Sequence, residues 1–330
     1  MMSNALQALC ERMAESRMIL KNTLRWENDA FYPVSANLFC ARGVTPDAGE
    51  LIAARDLLKA RTGVFSNFRG HVKLPLIAML SLSQERETYL GRVLSSYQLL
   101  KQRFTPSDYL ALAACFLAEA PDEAEREHLV SRARDLYERM KKEHRFITGA
   151  EDSPYTVLLA ASDRTDDELI ADMEESCSLL KTVFRDSNSV QTVTHVLALD
   201  RRVPKVKTAR VIDLYDAVRQ AGGKYSRYEP LAVLASLAMA DAEVRLLAEE
   251  IMNAEADLHE RKGWRGIFGF DRATRMMHAA MLVTDLHLPG DTGEKAAMKA
   301  ALSAAIAQQM AVCITATSAA AAVAAASGSR

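Results

Sequence analysis

Two short stretches of this chain set an aromatic ring, an arginine and a glycine side by side, Phe68-Arg69-Gly70 and Trp264-Arg265-Gly266. Glycine admits a left-handed turn, and a guanidinium held beside a ring presents a planar fork to a carboxylate or a phosphate. Two carboxylates stand in comparable loops, Asp108 in Thr105-Pro106-Ser107-Asp108 and Asp152 in Asp152-Ser153-Pro154. Either can serve as a base only if its helix does not need it as a cap. Phe68, Arg69, Asp108, Asp152, Trp264 and Arg265 are therefore the candidate binding residues, with Asn188 and Glu229 on the same expected rim. A competing reading is purely structural. It stacks each arginine on its ring and bonds it to loop carbonyls, and it has Asp108, Asp152 and Glu229 point along their own helices; capping is the expected outcome.

Other chemistries find little support. The five cysteines, Cys10, Cys40, Cys115, Cys177 and Cys313, are widely spaced and odd in number, which fits free thiols in a reducing compartment. No CxxC pair occurs, and no histidine lies four residues from another, so no metal site is expected. His195, flanked by Val193, Val196 and Leu197, reads as a core histidine. Ser178-Leu179-Leu180-Lys181 matches S-x-x-K without its companion motifs, and the glycines from Gly263 to Gly269 follow a helix rather than a strand. No catalytic residue and no cofactor is assigned.

The elements that must position these residues form a repeat. Rings end helix-like segments at Phe65, Phe104, Phe146, Phe184, Tyr225 and Trp264, at a period of about 40 residues, the signature of stacked helix pairs. Each first helix closes on an apolar-basic pair: Leu58-Lys59, Leu100-Lys101, Met140-Lys141, Leu180-Lys181 and Val218-Arg219. Four residues before the basic one stand Tyr97, Tyr137, Cys177 and Tyr215 on what must be a buried face. The second helices, such as 109–117 and 231–238, are apolar throughout and are expected to be packed on both sides. The recurrent ring closes each turn and should be buried. The fold expected is all-α, an α-solenoid of about six helix pairs. Residues 1–45 form an N-terminal capping helix and loop, 46–288 the array, and 289–330 an alanine-rich C-terminal helix and tail.

At 330 residues and 49% hydrophobic, the chain can bury a large core. A formal net charge of −2 gives no global attraction to nucleic acid. Two basic runs, Arg139 to Arg145 and Arg201 to Arg210, could grip phosphates, but interleaved acids favour a solvated, helix-terminating face. No signal-peptide core opens the chain. Residues 300–329 carry no charge, yet alanine and Gln308-Gln309 make that run a weak candidate for membrane association, which is not favoured.

The stretches Val64-Phe65-Ser66-Asn67-Phe68-Arg69-Gly70, Arg132 to Gly149 and Glu151-Asp152 resemble a bacterial family known as domain of unknown function 4003, across about residues 15–315. The resemblance implies a cytoplasmic bacterial protein and brings no activity or catalytic residue with it. Two functional readings follow. The first is a non-enzymatic scaffold that binds a protein or peptide partner on the concave face of the array. The alternative is a small-molecule site, binding or catalytic, on the rim of interhelix loops.

Overall fold

The computed structural model describes residues 2–143, 148–225, 231–266 and 269–288. Fourteen α-helices and no strands occur among the described residues. Long amphipathic helices alternate with shorter, more buried ones, except that the last, Arg272–His287, is itself long. The chain runs α1 (Asn4–Thr23), α2 (Phe31–Cys40), α3 (Ala48–Arg61), α4 (Lys73–Ser81), α5 (Arg86–Lys101), α6 (Asp108–Leu117) and α7 (Glu123–Glu143). It continues through α8 (Ser153–Ala160), α9 (Asp166–Leu180), α10 (Ser187–Leu197), α11 (Pro204–Gln220), α12 (Leu231–Leu237), α13 (Val244–Glu260) and α14 (Arg272–His287). Small polar side chains open many of these helices by accepting from the first turn, among them Ser3, Asp47, Ser107, Thr165, Asp186 and Asp271. Among the described residues, no helix is long and apolar enough to cross a membrane. The uncharged run 300–329 lies outside the described residues.

Each odd-numbered helix and the even one after it form a hairpin. The odd helices bury one stripe, such as Val93, Tyr97 and Leu100 on α5, and turn most of their charges outward, with Arg17, Asp172, Lys207 and Glu255 among the exceptions. The even helices are buried nearly all round, as residues 231–237 and 276–284 show. Odd helices touch their odd neighbours from α1 to α13, and α13 in turn touches α1. The even helices follow the same order, with α14 packed on α2; α4 reaches the third hairpin through α5 and through the turn Asn67–Arg69. First and last hairpins therefore meet. Where an open stack was expected, with residues 1–45 closing one end, α1 and α2 contact both the second and the last hairpin and join the described helices into a ring.

The joints between hairpins repeat one contact. Phe68 meets Tyr97 edge to face at 5.0 Å, Phe104 meets Tyr137 at 5.5 Å, and Phe184 meets Tyr215 at 5.2 Å. Tyr225 and Trp264 are buried as expected, while Phe146 lies outside the described residues. Phe65 is a correction: it is fully exposed at 102%, and Phe68, at 1%, takes its place in the core. The cause is local. Ser66 accepts from the Phe68 backbone N–H and winds a 3-10 turn over Asn67–Arg69, so the chain re-enters the core three residues later than the spacing suggests.

At the seam between last and first hairpins, the ring on one side is kept and its partner changes. The Arg17 guanidinium carbon sits 5.7 Å from the Trp264 ring centre and 5.1 Å from that of Phe270. Arg17 stands four residues before Lys21, the position held by Tyr97, Tyr137 and Tyr215 elsewhere. Gly263, at φ +85°, makes room for it, because a Cβ there would lie 2.5 Å from the guanidinium.

The rim where even helices end is tied by cations. Arg132 donates to the carbonyls of Ala160 and Ser162, each at 2.7 Å, and of Arg164. Arg210 makes the same three bonds one pair of hairpins later, to Ala238 at 2.9 Å, Ala240 at 2.7 Å and Ala242. In the hairpin between them the matching position is Asp172. It is met by Arg164 at 2.8 Å and by Lys207 at 2.6 Å, and these reach the carbonyls of Ala198 and Leu197 instead. Within the run Arg201 to Arg210, Lys207 is buried and Arg202 and Arg210 bond backbone carbonyls, while Arg201 and Lys205 stay exposed.

Candidate functional site

The opposite rim, where the even helices begin, carries the candidate site. Ser107 caps α6 by accepting from Leu110 N at 3.0 Å, which leaves the next residue, Asp108, without a capping duty. Its carboxylate turns across to the previous hairpin. Oδ2 accepts from the backbone N–H of His71 at 3.1 Å and lies 2.6 Å from the ring Nδ1 of the same residue. Oδ1 accepts from the Asn67 amide at 3.3 Å, and Asn67 is held in turn by the Tyr97 hydroxyl at 2.7 Å. Gly70 permits this approach, since a Cβ there would stand 2.7 Å from Oδ2. The expected cap is thus a bridge.

His71 faces a cavity of about 190 Å³ lined by Glu27, Asn28, Phe31, Gly70, His71 and Leu74. Its ring lies 5.5 Å from that of Phe31, and Glu27 is held by Lys73 at 2.5 Å. Both members of the His71–Asp108 pair remain partly exposed. A carboxylate on Nδ1 fixes the tautomer that makes Nε2 the basic nitrogen, so the pair has the composition of an acid–base dyad.

Asp152 departs from the capping expectation differently. It ends a 3-10 turn, Ala150–Asp152, and closes that turn by accepting from Gly149 N at 2.9 Å. It also reaches α10, accepting from the Gln191 amide at 3.3 Å with His195 Nδ1 at 3.5 Å; the His195 ring is 5.5 Å from that of Tyr155. The group is sealed. Burial pushes the Asp152 carboxyl up to about 8, against the Gly149 N–H that favours its charged form. Glu229 lies outside the described residues.

The two aromatic-arginine motifs take structural roles and stay apart, one in the second hairpin and one in the seventh. Phe68 and Trp264 are core side chains. Arg69 donates to the Thr62 hydroxyl and to the carbonyls of Lys59 and Thr62, each at 3.0 Å, and so closes the end of α3. Arg265 is exposed and pairs with Glu260 at 3.0 Å. The two residues that sequence reasoning passed over are His71 and Glu27. His71 lies 37 residues before Asp108, close to the spacing of the hairpins, and that near-match is the signal that could have paired them.

No solved structure matches the chain. The uncharacterized protein YeaA of Bacillus subtilis (strain 168) is 21% identical over 247 residues, covering 72% of this chain and 74% of that protein. The expected resemblance is confirmed over residues 18–311, and the chain belongs to the family described as protein of unknown function DUF4003.

Proposed function

We propose that this protein binds a small polar molecule at the loop rim, in the cavity between the first two hairpins, with His71 and Asp108 as an acid–base pair facing it. The observation that carries the reading is the 2.6 Å contact between Asp108 and His71 beside that cavity. A volume of about 190 Å³ suits a ligand of a few heavy atoms, below the roughly 300 Å³ where drug-sized sites begin. The hairpins are read as one repeated unit, seven rather than about six, closed into a ring. Four free and buried cysteines support a reducing, cytoplasmic setting.

Native mass spectrometry of the gently purified protein tests the reading. A small molecule retained by wild type and lost from His71→Gln and Asp108→Asn supports it. Retention unchanged in both variants overturns it.

A second reading, a protein or peptide partner, is favoured by a different observation. Val203, Val206 and Leu246 are exposed near the starts of the adjacent helices α11 and α13. A partner would then dock on the face where these three side chains stand exposed. Charged substitutions at Val206 and Leu246 that leave partner recovery intact would remove this reading.

A further inference from the structure

Trp26 and Phe65 stand wholly in solvent, at 98% and 102% exposure, with Val64 beside Phe65 at 77%. They occupy the loops that join α1 to α2 and α3 to α4, on the rim where even helices begin. Trp26 has a positive φ of 74°, alone among the described non-glycine residues. Bulky side chains adopt that conformation at a cost, so local folding gains nothing from holding this ring in water. Around the two tips the charge is one-sided. Arg25, Lys59, Arg61 and Arg103 are exposed, and none has an ion-pair partner among the described residues. The acids of the same loops are already neutralised, Glu27 by Lys73 and Asp29 by Lys21.

We propose that the loops of the first three hairpins dock on an anionic lipid surface, with Trp26, Val64 and Phe65 entering the interface and Arg25, Lys59, Arg61 and Arg103 meeting lipid phosphates. Indole and phenyl rings settle at the headgroup boundary, and basic side chains nearby add attraction to anionic lipid. Both components are present here on one rim. A protein partner would need a preformed pocket for each ring, whereas a bilayer closes round rings that project separately from loop tips. This attachment is peripheral and uses side chains other than those that line the adjoining His71–Asp108 cavity.

Co-sedimentation with phosphatidylcholine vesicles, with and without an equal part of phosphatidylglycerol, tests the proposal. Trp26 fluorescence gives a second readout: the chain has two tryptophans, and Trp264 is fully buried, so solvent-type emission comes from Trp26. Wild type is expected to pellet with the anionic vesicles, with a blue-shifted emission. The double variant Trp26→Ala/Phe65→Ala should bind about tenfold more weakly, and Arg61→Glu about fivefold more weakly. Each altered side chain is exposed, so the variants should keep the wild-type fold by circular dichroism. His71→Gln, which disables only the ligand reading, should pellet like wild type. Three results overturn the proposal: wild type left in the supernatant with anionic vesicles, the double variant binding as well as wild type, or a blue shift that appears with protein concentration alone and accompanies a dimer on sedimentation.

Discussion

The two rims of the ring differ in where their carboxylates and cations are spent, although Arg69 also fastens carbonyls on the rim where even helices begin. Where the even helices end, Arg132, Arg164 and Arg210 spend donors on backbone carbonyls at or just past the ends of α8, α10 and α12, and Lys207 reaches back from α11 to the end of α10. Where they begin, Asp108 meets His71 and Asp152 meets Gln191 and His195, side chain against side chain. A cation bound to carbonyls has one state and serves as a fastener. A carboxylate against an imidazole has several protonation states, and beside a cavity it can exchange a proton with a guest. Within the second rim burial divides the two carboxylates again, leaving Asp108 reachable and Asp152 sealed.

The largest effect that would sharpen this contrast lies at the fastened rim. Lys207→Met leaves the buried Asp172 with one cation and strips donors from the carbonyls of Leu197 and Asp200; a loss of about 3–5 kcal/mol is expected in urea unfolding. A loss under about 1 kcal/mol would break the contrast. Arg132→Leu comes next, at about 2–3 kcal/mol by the same measurement, because three carbonyls and Asp166 lose a charged donor.

Asp152 supplies a pH signature on the other rim. Its carboxyl is raised from the ordinary 3.8 to about 8, chiefly by burial, so the folded chain holds a proton that the unfolded chain releases. Stability should therefore fall as pH rises from about 4 to about 8 and level off above. Asp152→Asn should flatten that slope in denaturation measured across the range; an unchanged slope would show that the carboxyl is ionised in the fold. The smallest stability effect belongs to the dyad. Asp108→Asn should cost no more than about 1 kcal/mol, since the group is partly exposed, while abolishing retention of any rim ligand. Should it destabilise as much as Lys207→Met, Asp108 is a fastener too and the distinction between the rims fails.

Much of the fold was legible because its signal is periodic. Apolar-basic helix ends and Tyr97, Tyr137 and Tyr215 marked the buried faces, and the all-apolar segments proved to be packed on every side. Closure was hidden by one substitution. The first helix carries the same register, Met13, Arg17 and Leu20-Lys21, but an arginine stands where other units have a ring, so its kinship with them is easy to miss. Phe65 and Phe68 were confused because two rings lie within one loop and only a 3-10 turn decides which faces inward. The site was less legible still. Whether Asp108 caps or bridges depends on Ser107 taking the cap first, and spacing alone does not rank two adjacent capping residues.

The Arg17–Trp264 clasp also bears on how the chain acquires its structure. An open stack can zip from any unit, and its end units fray because each has a single neighbour. Here every hairpin has two neighbours, yet the last contact to form joins the first helix to the last hairpin across nearly the whole described chain. That contact carries a large loop-closure entropy and raises the contact order, so a slow final step should follow fast local assembly. Once latched, none of the described hairpins is left with a single neighbour from which unfolding could begin.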